Sequence, residues 1–216
     1  MAYTLPDGSK LFLGTTFGAP INITAVSNAN PAVVSAASHG LTDKTPFILS
    51  SGWEDANDRV FRVTNPLSGT FEIDGFDSSN TNLFPPLSGV GTVTPITGWQ
   101  EIQQVLNPST SGGEQQFATV EPLAKRNAIQ IPTGFSPMSV TIPLGDDPTL
   151  PGYIALKAAS DARAIRPLRI QKPNGAVNYF YGYVSLNEVP SLTKGQVDTV
   201  TATFALQGLP VRYAAS

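Results

Sequence analysis

Residues 168–213 read LRIQKPNGAVNYFYGYVSLNEVPSLTKGQVDTVTATFALQGLPVRY. Pro173-Asn174-Gly175 stands between two extended runs, and Asn-Gly after a proline is a strong local signal for a tight hairpin turn. Side chains on a strand alternate between its two faces. The run after the turn therefore places Val177, Tyr179, Tyr181 and Tyr183 on one face and Asn178, Phe180, Gly182 and Val184 on the other. Both faces are mostly apolar or aromatic, which predicts a strand with protein on both sides. The last run sets Val200, Ala202, Phe204 and Leu206 against Thr199, Thr201, Thr203 and Ala205. A threonine row of that kind suits a half-buried β surface rather than a dry core.

Working outward, short alternating segments recur at Lys10 to Thr16, Ala32 to Ala36, Thr45 to Leu49, Arg59 to Thr64, Thr70 to Ile73, Gly98 to Leu106 and Met138 to Leu144. Turn residues separate them at spacings typical of sandwiches and barrels. One helix is predicted over residues 151–165, opened by Pro151 and stopped by Pro167, with Asp146 and Asp147 before it and Arg163 and Arg166 at its end, as the helix dipole favours. Ile154, Ala158, Ala162 and Ile165 form its apolar stripe, which is expected to cover one face of a sheet. The fold class predicted is mainly β: a sandwich or half-barrel with one flanking helix and an inserted small all-β domain.

The insertion is read from charge and texture. Residues 24–96 carry seven acidic side chains (Asp43, Glu54, Asp55, Asp58, Glu72, Asp74, Asp77) and three basic ones (Lys44, Arg59, Arg62), a net of −4, while the remainder nets +1. The same residues are a dense series of very short strands and Gly, Asn, Ser and Pro turns. This divides the chain into a discontinuous domain of residues 1–23 and 97–216 and an inserted module of residues 24–96. Residues 107–137 have few periodic apolar positions and read as a mobile loop, long enough to be functional.

At 216 residues the chain can bury a substantial core. Charged residues are 13%, about half the usual share of roughly 25%. A surface so poor in charge is meant to be covered by other protein, or belongs to a secreted β domain with a polar uncharged exterior. The net charge of −3 argues against a general nucleic-acid binder, but a passive conduit for DNA should not grip phosphates. There are no cysteines, which removes disulfides, thiolate metal sites and cysteine nucleophiles. The opening MAYTLPDGSKLFLG lacks a signal-peptide pattern, and no run approaches the roughly 18 residues of a membrane span, so a soluble product made in a cytoplasm is expected.

Chemistry-bearing motifs are scarce. The single histidine, His39, lies in Ser38-His39-Gly40-Leu41 and reads as a turn residue before a glycine of positive φ. No G-x-S-x-G, Walker loop or dinucleotide fingerprint is present. Glu54-Asp55-Ala56-Asn57-Asp58 lacks the spacing of a calcium loop. No catalytic residue, metal ligand or cofactor is predicted. Trp53, Trp99 and the Tyr179, Tyr181, Tyr183 row read either as a sugar platform or as packing at a core or subunit interface.

From Pro151 to Tyr213 the chain resembles the major tail tube proteins of long-tailed, non-contractile (lambda-like) bacteriophages. The resembling elements are the Pro151-Gly152 helix start, the basic strand Arg166 to Lys172, Pro173-Asn174-Gly175, the strand ending Gly182-Tyr183-Val184-Ser185, and the Thr-rich strand leading to Gly208-Leu209-Pro210. With Lys10 to Ala19 and Gly98 to Leu144 the resemblance covers about two thirds of the chain. Pro31 to Val34, Ser38 to Leu41, Phe61 to Asn65 and Thr70 to Gly75 are similar to a small β module of phage structural proteins. The resemblance implies a non-enzymatic subunit of the virion tail, assembled in the bacterial host cytoplasm. Six copies would form a ring whose sheets join, and stacked rings would conduct DNA without specific binding. It further implies contacts with tape measure, tail terminator and tail tip proteins, and none with a membrane.

It also implies that Glu114, Gln115, Gln116, Phe117, Lys125 and Arg126 touch the neighbouring ring. Tyr179, Tyr181, Tyr183, Thr199, Thr201 and Thr203 are then expected in the sheet shared between subunits. The module would sit on the exterior of the tube. The alternative is a tail-tip or receptor-binding protein that uses the module to bind host-surface carbohydrate.

Overall fold

The computed structural model describes residues 6–215, so residues 1–5 of the opening stretch and Ser216 lie outside the described residues. In chain order the strands are β1 (Lys10–Phe17), β2 (Ile21–Ile23), β3 (Ala25–Val26), β4 (Val33–Ser35), β5 (Pro46–Ser51), β6 (Arg59–Thr64), β7 (Thr70–Ile73) and β8 (Gly91–Ile102). They continue with β9 (Ser109–Ser111), β10 (Gln115–Val120), β11 (Ile129–Phe135), β12 (Ser139–Gly145), β13 (Ile165–Gln171), β14 (Val177–Ser191), β15 (Thr199–Leu206) and β16 (Val211–Tyr213), with helix α1 (Pro151–Asp161) between β12 and β13. One sheet runs β3-β4-β7-β6-β5-β8-β1-β13-β14-β15-β12-β9, with β2 added to β8 and β16 to β14, while β10 and β11 pair only with each other. The mainly β fold with one helix is as the sequence predicts.

The hairpin at Pro173-Asn174-Gly175 forms between β13 and β14. Lys172 N–H donates to Ala176 O at 2.9 Å, Gly175 N–H donates to Lys172 O at 3.0 Å, and Gly175 takes φ +88°. Asn174 Oδ1 accepts from Ala176 N–H at 3.0 Å. A three-residue loop of this kind needs a left-handed residue at its end, and glycine supplies it without a Cβ clash.

Two apolar cores form on opposite sides of the sheet. The first lies between α1 and β1, β8, β12, β13, β14 and β15, and holds Leu13, Ile142, Leu144, Leu156, Leu168, Val200, Ala202 and Phe204. The second gathers Phe47, Trp53, Phe61, Phe71, Ile73, Phe76 and Phe84, and reaches out of that segment to take in Tyr179, Val211 and Tyr213. β8 serves both. Its early residues pair with β5 and β2 and its later residues with β1.

Four expectations are corrected. The strand predicted from Gly98 begins at Gly91, because the first half of β8 finds partners in β2 and β5. The helix ends at Asp161 rather than at residue 165, since Ile165 already pairs with Tyr183 and Arg163 turns the chain with φ +49°. Its buried stripe is Gly152, Tyr153, Leu156 and Ala159, and Ile154 is 54% exposed. The reason is close approach: a Cβ on Gly152 would lie 2.6 Å from Glu101 O, so the glycine face is pressed against β8 and the Ile154 face turns outward. The segment 107–137 is also not irregular. It contains β9, β10 and β11.

The contrast between the two faces of β15 is testable. Phe204→Ala should cost about 3–5 kcal/mol of unfolding free energy in urea, because Phe204 is fully buried, whereas Thr203→Ser on the opposite face should cost under about 1 kcal/mol.

Candidate assembly surfaces

The sheet face turned away from α1 has two chemistries. On β1, β8, β13 and β14 it is aromatic and cationic. Tyr179 lies opposite Arg169, which lies opposite Phe12. The Arg169 guanidinium sits 4.2 Å from the Phe12 ring centroid and 4.7 Å from that of Trp99, and its Nε has no hydrogen-bond partner. Burial pushes the Arg169 pKa down, offset in part by Tyr179. Trp99 and Tyr213 flank Tyr179 at 5.9 and 6.0 Å between centroids.

Past Tyr181 the same face becomes a field of hydroxyls. The register aligns Tyr183, Ala205, Ser139 and Ser111 in one row, Ser185, Thr203, Thr141 and Ser109 in the next, and Asn187, Thr201 and Pro143 in a third. None of these eleven side chains is charged. They are exposed or half-buried, while their strand neighbours Val140, Ile142, Val184, Leu186, Ala202 and Phe204 point into the core. A sheet face this wide would, on an ordinary soluble monomer, carry lysines and glutamates.

The second surface is an arm. β10 and β11 form a two-stranded ribbon whose strand residues are all exposed. It extends the β9–β12 pair outward, joined by Ser136 N–H to Glu114 O at 2.8 Å and Gly113 N–H to Ser136 O at 3.2 Å. Gly112 and Gly113, at φ +78° and +82°, form the joint, and a Cβ on Gly112 would run into the Pro137 carbonyl. Phe117, Phe135 and Ile131 are 51%, 57% and 48% exposed. An isolated two-stranded ribbon is at best marginally stable in water, so apolar side chains displayed this way call for a covering partner.

A clamp fixes the 24–96 segment to the rest of the chain. Tyr213 Oη accepts from the Arg62 backbone N–H at 2.9 Å, the Arg62 guanidinium lies 3.8 Å from the Tyr213 ring centroid, and Arg62 pairs with Asp74 at 2.7 Å. Burial raises the Tyr213 pKa well above the ordinary tyrosine value.

The residues singled out from sequence fall in three places. Gln115, Gln116 and Phe117 lie on β10, with Glu114 at its base and Lys125 and Arg126 at the exposed tip. Thr199, Thr201 and Thr203 lie together on the outward face of β15, and Tyr183 stands beside them, 46% exposed. Tyr179 and Tyr181 are apart from these: Tyr179 is buried in its own subunit's core and Tyr181 packs against that core. His39 is a structural turn residue, as read. Nε2 lies 2.7 Å from Leu67 O, Nδ1 accepts from Leu41 N–H at 3.0 Å, and Gly40 has φ +62°. Trp53 is buried with its Nε1–H donated to Pro85 O at 2.8 Å, Trp99 is half-buried beside Arg169, and of the tyrosine row only Tyr183 is exposed, so these aromatics do not share one exposed face. Sequence reading missed β16, whose signal was the apolar-polar-apolar Val211-Arg212-Tyr213, and the arm strand β11, signalled by Ile129-Gln130-Ile131.

A family model for the phage tail tube protein matches residues 51–215. The chain belongs to the phage tail tube protein family. No curated protein matches it. A tail tube protein is a structural component of the virion tail and not an enzyme, which fits a chain that turns an uncharged sheet face and an exposed ribbon to solvent. The match begins inside the segment read as an insertion and runs through both arm and hydroxyl face. No helix among the described residues is long and apolar enough to cross a membrane.

The clamp makes a pH-dependent prediction. Tyr213→Phe should cost about 1–3 kcal/mol by leaving the Arg62 N–H without its acceptor. Because the folded pKa of Tyr213 is raised, its proton contributes stability that is complete below about pH 10 and lost as pH rises further. Unfolding free energy measured from pH 9 upward should therefore fall less steeply in Tyr213→Phe than in the parent, with a residual slope from Tyr153, Tyr179 and Tyr181.

Proposed function

We propose that six copies of this tail tube protein close into a ring, that rings stack into the tail tube, and that the tube conducts DNA during ejection. The observation that carries this reading is the uncharged field on β9, β12, β14 and β15. DNA carries one negative charge per about 1.7 Å of helix axis, and every lysine or arginine on a channel wall would hold it by counterion release. A wall of Ser, Thr and Asn offers neither that grip nor the repulsion of a strongly acidic surface. Thr199, Thr201 and Thr203 line this wall in the proposed tube, with Tyr183 beside them in the sheet that neighbouring subunits would extend. Tyr179 and Tyr181 support the wall from within the subunit.

The arm is the contact between rings, through Glu114, Gln115, Gln116, Phe117, Lys125 and Arg126. Its exposed Phe and Ile side chains support this role, since assembly would cover them. Residues 24–96 form an inserted module on the tube exterior. That placement is favoured because a segment of this size in every subunit would block the channel; its core packs on the aromatic half of the sheet face, and the hydroxyl half is left open. Assembly takes place in the host cytoplasm, and the tube ends meet the tape measure, terminator and tip proteins.

Electron microscopy of the purified protein tests the reading. The parent should give rings or hollow tubes. A variant in which Gln115 to Phe135 is replaced by a short Gly-Ser turn should keep the parent's unfolding midpoint, lose only the arm's share of the β signal in circular dichroism, and fail to form tubes. Normal tubes from that variant would remove the arm from the mechanism.

A further inference from the structure

The arm's tip and the opposite end of the sheet carry complementary chemistry. The tip holds Leu123, which is fully exposed, together with Lys125 and Arg126, which make no ion pair among the described residues. At the far end of β12 lies a recess of about 730 Å³. Val105, Leu106 and Val197 give it apolar walls, and Asp146, Asp147 and Asp198 give it three carboxylates with no basic residue among its lining. Asp146 and Asp198 are held together through the backbone, with Asp146 N–H donating to Asp198 O at 3.0 Å. Asp147 is engaged with Thr149, whose hydroxyl donates to it at 2.6 Å.

Topology separates these two features within one chain. The arm leaves the sheet at Ser111 and Ser139, the start of β12, whereas Asp146 follows its last residue, Gly145. The strand alone spans about 20 Å at 3.3 Å per residue, and the arm runs on from the near end. A tip exposed at one end and a receptor at the other end of the same strands describe a heterologous, head-to-tail contact, which propagates when repeated.

We propose that the arm tip of one copy seats in this recess of a second copy in the adjacent ring, with Leu123 against Leu106 and Val197, and Lys125 and Arg126 against Asp146 and Asp198. This rests on the tube-assembly reading and names the receiving surface for the arm. The contact is repeated around each ring, so small pair energies combine through multivalency, and it weakens with added salt.

Reciprocal charge reversal tests it. Lys125→Asp with Arg126→Asp should raise the protein concentration needed for tubes by about tenfold or more, and so should Asp146→Lys with Asp198→Lys, while the reversed tip mixed with the reversed recess recovers assembly. As the chain has no native cysteine, Leu123→Cys with Val197→Cys supplies a second measurement. Oxidation should give a ladder of linked multimers on denaturing gels, and each single-cysteine variant no more than dimers. Tubes from the parent that are unaffected by tip reversal, or the absence of a ladder, overturn this pairing alone. A parent protein that forms neither rings nor tubes overturns the assembly reading beneath it.

Discussion

Strand β8 is the constraint on which the rest of the molecule depends. Its first residues carry Val93 and Ile96 into the core formed by residues 24–96, and its last carries Ile102 into the core under α1. The two cores lie on opposite sides of one continuous strand, so neither can shift without pulling the other. The joint is a pair of register shifts between β1 and β8, with Thr15 extra on β1 and Thr97 extra on β8, where Gly98 faces Thr16 so closely that a Cβ would lie 2.7 Å from its Oγ1. Bulges bend a strand and increase its twist. That bend lets the sheet fold over one core before the junction and over the other after it, and the Arg62–Tyr213 clamp closes the angle from the other side.

The division of the outer sheet face follows from this arrangement. The aromatic half, around Trp99, Tyr179 and Arg169, is covered because the bend brings residues 24–96 over it, and β16, added beside β14, contributes Val211 and Tyr213 to the same core. The hydroxyl half, beyond Tyr183, is beyond their reach. On that half, burying one face obliges the core-facing positions, such as Ile142, Val184, Val200, Ala202 and Phe204, to be apolar, and the alternate positions are free to follow function. Their consistent lack of charge across four strands is a choice the core does not force. In the proposed tube, it is the channel that accounts for it.

Local chemistry made much of this legible. Pro173-Asn174-Gly175 gave a hairpin because Asn and Gly satisfy a three-residue turn by themselves, and β6 and β7 matched their expected limits because both faces of each were already defined by alternation. The helix face was not legible. Ile154 outweighs Gly152 in any apolar pattern, yet the packing is decided by how closely backbone can approach β8, a tertiary property. Tyr179, Tyr181 and Tyr183 show the same limit, since periodicity places them on one face but not which part of that face the chain itself covers. The arm was hidden for a related reason: a ribbon exposed on both sides has no obligation to alternate, so its polar and apolar residues mix.

That mixing bears on how assembly can be controlled. A ribbon with Phe117, Ile131 and Phe135 in water and no sheet beside it gains little from being ordered before it meets a partner. Its ordering cost falls due at docking, which lowers the affinity of a single arm. In the proposed tube a lone subunit would bind a lone subunit weakly, whereas a closed ring would offer several arms at once and each docked arm would raise the effective concentration of the next. Weak single contacts and strong collective ones would suppress stray filaments of unclosed subunits and favour growth on completed rings. Gly112 and Gly113 fit that scheme, because a glycine joint lets the arm adjust its direction when the neighbouring surface arrives, at the expense of order before it does.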